Sequence, residues 1–395
     1  MRTHTGRLAS RLALLTAAAT STLCGIAGTA MAHQPVARTG VILDAGSADA
    51  IANSYIVVLR PGESGVGLLQ RYGGQLVDTY TSVHGFHATM TAQQAAHLAA
   101  DSSVKYVEQD ATVAAADDPA PWGLDRIDQR ALPLSKSYTA PSAAGVTAYV
   151  IDSGIRITHR EFGGRATSGW DFVDNDANAD DCKGHGTHVA GTIGGATYGV
   201  VRGIKLVSVR VLDCKGSGAY SDIIAGIDWV TAHAAKPAVA NMSLGGTVSK
   251  ALDDAVERSI AKGITYAVAA GNDHRDACKQ SPAHAPDAIT VGATDQNDAR
   301  ATFSNFGSCV DIFAPGVRIQ SAASDSNTGS KLMSGTSMAS PHVAGAAALV
   351  LAAHPSWTPA QVRDDLVGHA DADLIRGPGK NSPNKLLFTG YLSRS

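Results

Sequence analysis

Charge is scarce in this chain. Asp, Glu, Lys and Arg make up 17% of its 395 residues and nearly cancel, leaving a formal net charge of -3. No basic run is present, which argues against a surface for nucleic acid. Aromatic residues are few, at 5%, while glycine is abundant, at 41 residues. A core of small, closely packed side chains with frequent tight turns is the expected result. Only five cysteines occur, and none stands in CxxC spacing or beside paired histidines, so a zinc site has no support. Beyond the first 32 residues no segment is long and apolar enough to suggest a membrane span.

Those first residues read as a secretory signal. Arg2, Arg7 and Arg11 precede the apolar stretch LALLTAAATSTLCGIAG, and Ala30-Met31-Ala32 forms an A-x-A cleavage site before His33. A membrane helix fits less well, because Thr and Ser interrupt the run and no stop-transfer pattern follows. A lipid anchor on Cys24 would need a small residue where Leu23 stands. The expected location is therefore extracellular, with no membrane attachment after removal of residues 1–32. Cys182, Cys214, Cys278 and Cys309 remain. In an exported protein they favour two disulfides. Three pairings are possible, and the two short-range loops are preferred.

Residues 33–53 form a small-residue linker. Residues 54–114 read as a small α+β module: SYIVVLR and VKYVEQD are strand-like, QQAAHLAADSS is helical, and the tail ATVAAADD is an exposed cleavage point. From Pro121 onward the pattern changes. VTAYVI, IKLVSVRVL, AVANMSL, ITYAVAA and AITVGA are short β-branched runs of the kind found in buried parallel strands. Helical stretches alternate with them: SDIIAGIDWVTAHAA from a Ser cap, SKALDDAVERSIAK up to Gly263, and TPAQVRDDLVGH from a Thr cap with Pro359 at its first position. The alternation predicts an open, mostly parallel α/β sheet with helices on both faces. In such sheets, sites gather at the carboxyl ends of strands.

Four residues stand out there. Asp152 ends VTAYVID before Ser153-Gly154, placed either to orient a base or simply to make a turn. His185, between two glycines in GHGTHVAG, is a candidate general base; with His188 it can equally pack at a helix start, and their i, i+3 spacing lacks the HExxH pattern. Asn272 in AVAAGND can donate to a developing oxyanion or sit in an ordinary turn. Ser337 in SGTSMASPH opens an apolar helix, as nucleophile or as N-cap, with a Pro in the first turn. Together they supply nucleophile, base, orienting carboxylate and oxyanion donor in the order Asp, His, Ser.

The motifs VIDSGI, GHGTHVAGTI, AVAAGN and SGTSMASPHVAG resemble those of the subtilisin-like serine proteases. PWGLDRIDQR and the cysteine spacing are similar to the proteinase K and aqualysin branch. The match runs from about Pro121 to the end of the chain, and residues 54–114 resemble that family's ferredoxin-like inhibitory propeptide. The resemblance implies an endopeptidase with Ser337 as nucleophile, His185 as base, Asp152 as its orienter, and Asn272 with the Ser337 N–H as oxyanion hole. It implies that Gly216-Ser217-Gly218 and Ser243-Leu244-Gly245 flank an extended peptide. A pocket walled by Ser243–Gly246 and by Ala269, Ala270 and Gly271 would prefer apolar or aromatic residues, with Tyr220 over a neighbouring subsite. Disulfides Cys182–Cys214 and Cys278–Cys309 are implied. So is structural calcium at Pro286, Ala288 and Asp311. Asp125, Asp128 and Gln129 match a second calcium site, in which Ser135 stands where certain relatives carry Asp. The acidic loop from Asp171 to Asp181 could hold a third ion or be merely solvated. The propeptide, residues 33–114, is expected to assist folding, block the cleft, and leave by self-cleavage at Ala114–Ala115. The mature form, 115–395, is expected to be a monomer. A catalytically dead relative would have lost one of the four residues, and an esterase would need a G-x-S-x-G elbow, which is absent.

Overall fold

A computed structural model describes residues 38–47, 50–111 and 120–392. The signal segment, Cys24 and the Ala114–Ala115 bond lie outside the described residues. The chain divides into two compact units, Met1–Ala116 and Asp117–Ser395.

In the first unit β1 (Ala50–Leu59), α1 (Val66–Tyr72), β2 (Gln75–Tyr80), β3 (Gly85–Thr89), α2 (Ala92–Ala99) and β4 (Val104–Ala111) follow in order. A two-residue edge strand, Ile42–Leu43, pairs in parallel with β4, and the sheet runs edge-β4-β1-β3-β2. This is the expected ferredoxin-like βαββαβ pattern. Tyr55, Val57 and Leu59, at period two on β1, bury one face against Leu68 of α1 and Ala95 and Leu98 of α2. Helix α2 starts at a capping box between Thr91 and Gln94.

The second unit begins with α3 (Trp122–Ile127), β5 (Thr147–Asp152), β6 (Ala166–Asp171), α4 (His185–Gly194) and β7 (Lys205–Arg210). It continues with α5 (Tyr220–His233), β8 (Ala238–Met242), α6 (Lys250–Ala261), β9 (Thr265–Ala269), β10 (Ile289–Thr294) and β11 (Ile312–Pro315). The hairpin β12 (Ile319–Ala322) and β13 (Ser330–Met333) leads to α7 (Thr336–Ala353), α8 (Pro359–His369), β14 (Asp371–Ala372) and β15 (Lys385–Leu386). Nine strands form one sheet in the order β14-β15-β11-β10-β9-β8-β5-β7-β6, parallel except for the β14–β15 pair. The five predicted strand runs are its centre. Side chains alternate across it: Ala148 and Val150 of β5 join one core with α4 and α7, while Tyr149 and Ile151 join the other with α5 and α6. Helices therefore cover both faces, which is why these strands lack polar alternation.

Helix α7 is apolar all round and buried from Thr336 to Leu351 except at Ser337, which is half-buried; a helix of that kind belongs in a core. Two expectations about helix starts fail. α5 begins after Ala219 with no side-chain cap, and Ser221 donates to Asp222 instead. α7 has Gly335 at its N-cap position, so Ser337 lies inside the first turn and Pro341 in the second. α8 does start as predicted, with a Thr358–Gln361 capping box and Pro359 at its first position.

Candidate active site

Strand β5 is the first strand of the sheet in chain order, and the chain adds β6 and β7 on one side of it and β8 on the other. At such a switch point the loops diverge and leave a crevice at the carboxyl ends. Asp152 is the last residue of β5 and is fully buried. One of its oxygens, Oδ1, accepts the Ser153 N–H at 2.7 Å and bonds His185 Nδ1 at 2.7 Å. The other, Oδ2, is buried and has no hydrogen-bond partner among the described residues. His185 is the first residue of α4, after Gly184 in a left-handed conformation. Helix and strand end meet this closely because residue 186 is glycine: a Cβ there would lie 2.2 Å from the Gly154 carbonyl oxygen and 3.2 Å from Asp152 Cβ.

Burial pulls the His185 imidazole toward the neutral form. The charge and hydrogen bond of Asp152, with the charge of Asp181, outweigh burial and the opposing Lys183, and hold its pKa above the ordinary histidine value. His188, one turn on, is a different kind of residue. It is fully buried, its Nε2 faces the carbonyls of Ile319 and Lys331 at 3.0 Å, and burial pushes its pKa down to about 4. It is a structural histidine, as one of the two sequence readings had it.

Ser337 enters from the opposite element. Its hydroxyl donates to the Ser243 carbonyl at 3.2 Å. Its own carbonyl accepts from Ser243 Oγ at 2.8 Å. The second bond has a cause in the sequence. The i→i-4 partner of the Ser337 carbonyl would be the N–H of residue 341, which is proline and has none. Ser243 fills the vacancy and is itself held by Asn241 Nδ2 at 2.8 Å, whose Oδ1 accepts from Ser340 Oγ at 2.8 Å. All three residues are buried.

Asn272 caps α7. Its Oδ1 accepts the Thr336 N–H at 2.8 Å and the Thr336 hydroxyl at 3.0 Å. The cap read in the sequence as belonging to a serine therefore comes from a distant asparagine, and the amide is fixed with Nδ2 on the other side. A Cβ on Gly335 would lie 3.7 Å from Asn272 Nδ2 and 3.6 Å from the Ser337 nitrogen. Residue 335 has no side chain, so two N–H donors border one open space at the positive end of a helix.

Beside this lies a cavity of about 400 Å³. His185, Gly216, Ser217, Gly218, Tyr220, Ser243, Leu244, Gly245 and Gly246 all line it, so both expected substrate edges meet His185 there. Tyr220 closes one wall by donating to the Thr247 carbonyl at 2.7 Å. Lys183, Leu212, Lys215 and Ile223 also line it and were not foreseen; they come from loop and helix positions with no motif. Ala269, Ala270 and Gly271 stand at the end of β9, where Ala270 packs into a cluster with Val310 and Phe313 and does not line this cavity. The disulfides are Cys182–Cys214 and Cys278–Cys309, as expected.

A parallel α/β sheet with a carboxylate–imidazole pair at a strand end and a serine at a helix start defines a serine hydrolase. Residues 143–389 match the subtilase family, Peptidase S8, and residues 47–116 match peptidase inhibitor I9. The chain is 53% identical to an extracellular serine proteinase of Thermus sp. (strain Rt41A) over 323 residues, 81% of this chain and 79% of that protein. It is 48% identical to alkaline serine exoprotease A of Vibrio alginolyticus, over 86% of this chain and 68% of that one. A crystal structure of a cold-adapted subtilisin-like serine proteinase covers 69% of this chain and 98% of its own, with TM-score 0.67 and 54% identity. The chain belongs to the subtilase family: it is a serine peptidase that hydrolyses peptide bonds, with an I9 module ahead of its catalytic unit.

Proposed function

We propose that the chain is a secreted endopeptidase working through an acyl-enzyme on Ser337. The observation that carries this reading is the 2.7 Å bond from Asp152 to His185 at the carboxyl end of β5, with Ser337 bonded to Ser243, which lines the same cavity as His185. The Ser337 hydroxyl turns from the Ser243 carbonyl to His185 Nε2 and gives up its proton as Oγ attacks the substrate carbonyl carbon. The carbonyl oxygen becomes an oxyanion and accepts from Asn272 Nδ2–H and the Ser337 N–H. The imidazolium, stabilised by Asp152, then passes its proton to the leaving amine. Water, deprotonated by His185, attacks the ester carbon and frees Ser337.

The peptide lies extended between Gly216–Gly218 and Ser243–Gly245. The apolar stretch of the cavity favours apolar or aromatic residues before the scissile bond. The I9 module acts as intramolecular chaperone and inhibitor and is removed at Ala114–Ala115. The extracellular serine proteinase among the relatives and the signal-like N-terminus support export, and the working form is a monomer.

Calcium would act here only as an electrostatic clamp on loops. At Pro286, Ala288 and Asp311 the residues fit a hard cation in one arrangement. One Asp311 oxygen accepts the Thr290 N–H at 2.8 Å, and the Pro286 carbonyl takes Arg363 Nη1–H at 3.3 Å. An ion there requires the guanidinium to turn toward Asp364, to which its Nε already donates at 3.3 Å. Asp125, Asp128 and Gln129 do not fit. Both Asp125 oxygens are taken by donors from Ser135 and Lys136, and Gln129 Oε1 takes the Ser135 N–H.

Ser337→Ala tests the reading. It should fold, hydrolyse no peptide substrate, and keep residues 33–114 covalently attached in a host without other proteases. Maturation of that variant to an Ala115 start would refute self-processing.

A further inference from the structure

The acidic stretch from Asp171 to Asp181 is split by the fold. Asp171 and Asp174 face Arg210 at 2.5 and 2.6 Å. Asp181 turns inward. It is 6% exposed and accepts five hydrogen bonds. One oxygen takes Ser153 Oγ–H at 2.9 Å, the Lys183 N–H at 2.9 Å and the Gly184 N–H at 2.8 Å. The other takes the Thr187 N–H at 2.8 Å and its hydroxyl at 2.6 Å.

These partners bracket the Asp152–His185 pair on both sides. Ser153 follows Asp152 in the chain, and its hydroxyl also accepts the Gly186 N–H at 3.0 Å. Gly184 and Gly186 flank His185, and Thr187 lies in the first turn of α4. A first turn leaves amide donors without helical partners, and its positive end favours a carboxylate. Cys182, the next residue, is bridged to Cys214, so the loop is anchored on its other side.

We propose that Asp181 is a positioning residue for the base, fixing where His185 stands against Asp152 and placing a second negative charge behind the imidazole. The proposal rests on His185 being the base. The charged and titratable groups around that ring are Asp152 and Asp181, which favour its cation, Lys183, which opposes it, and the buried His188. Of the two carboxylates, Asp152 touches the ring and Asp181 acts through the backbone and by charge.

The test uses mature enzyme and a fluorogenic peptide. Asp181→Asn keeps the shape, removes the charge and turns an N–H₂ toward donors that need an acceptor. The expected result is a kcat roughly tenfold lower or more, a KM within about twofold, and an acid limb of kcat/KM moved to lower pH by on the order of half a unit. The double variant Ser153→Ala/Thr187→Val keeps the charge and removes two of the five bonds to Asp181, together with the bonds that the two hydroxyls accept from the Gly186 and Arg156 N–H groups; its kcat should fall while the limb stays in place. A folded Asp181→Asn enzyme with parental kcat and an unmoved limb overturns the proposal, whatever happens to its melting temperature. If Asp181→Asn does not fold, parental kcat in the double variant overturns it. Failure of the underlying reading looks different: His185→Gln would then retain activity.

Discussion

Asn272 does two jobs with two ends of one amide, and two substitutions separate them. Its Oδ1 caps α7 at Thr336, and its Nδ2 borders the open space beside Gly335. Asn272→Ala removes both. The lost cap costs about 1 kcal/mol of stability, and the lost donor about 3–4 kcal/mol of transition-state stabilisation, or roughly 10² to 10³ in kcat. Asn272→Asp keeps an acceptor for the Thr336 N–H and hydroxyl but replaces the donor with a negative oxygen. It should lose at least as much kcat while keeping the cap. Turnover is read with a fluorogenic peptide, and stability by thermal unfolding of the same substitutions in a Ser337→Ala background, which prevents self-digestion. Asn272→Ala should melt about 2 °C lower, and Asn272→Asp close to the parent. An Asn272→Asp enzyme that keeps more than about a tenth of parental kcat would show that the amide is not the oxyanion donor. An Asn272→Ala chain that melts with the parent would show that the cap carries no weight.

The raised His185 pKa predicts that kcat/KM falls on the acid side with an apparent pKa above about 6.5; an acid limb below that value in pH-rate data contradicts the electrostatics described. His188 and His342 are buried, and burial pushes both down to about 4. As pH falls from about 6.5 to 4 the unfolded chain takes up protons that the folded chain refuses, so each histidine should cost about 3 kcal/mol of stability over that window. Unfolding of Ser337→Ala at pH 4 and 7 measures the loss, and equal stability at the two would refute it. Calcium should raise the melting temperature of the parent but not of Asp311→Asn. The rise should fade below about pH 6, because burial pushes the Asp311 carboxyl up to about 6 and the ion needs it ionised; a calcium response that survives Asp311→Asn places the ion elsewhere.

Much of the site was legible because local signals coincide with it. Asp152 and Asn272 follow β-branched runs, and His185 and Ser337 precede apolar helical ones, so strand ends and helix starts mark them without knowledge of the fold. What stayed hidden depends on contacts between distant segments. Nothing near Ser337 shows that its helix is capped from residue 272, 64 residues earlier in the chain. Composition alone makes Asp181 another exposed acid in an acidic loop, because three of the donors that draw it inward are backbone amides with no sequence signature and the other two are the hydroxyls of Ser153 and Thr187. In the sequence Ser135 stands out only as a missing carboxylate. Its hydroxyl in fact donates to Asp125 at 2.7 Å.

Pro341 has a mechanical consequence for the whole cleft. In an uninterrupted helix the carbonyl of the attacking residue is fastened to its own spiral, and the substrate edge moves independently of it. Here the fastening runs to Ser243, the first residue of that edge. In the proposed mechanism one hydroxyl is thus a common hinge pin for the rail on which a peptide rides and for the blade that cuts it. A peptide that pulls the rail out of line also carries the blade away from the bond.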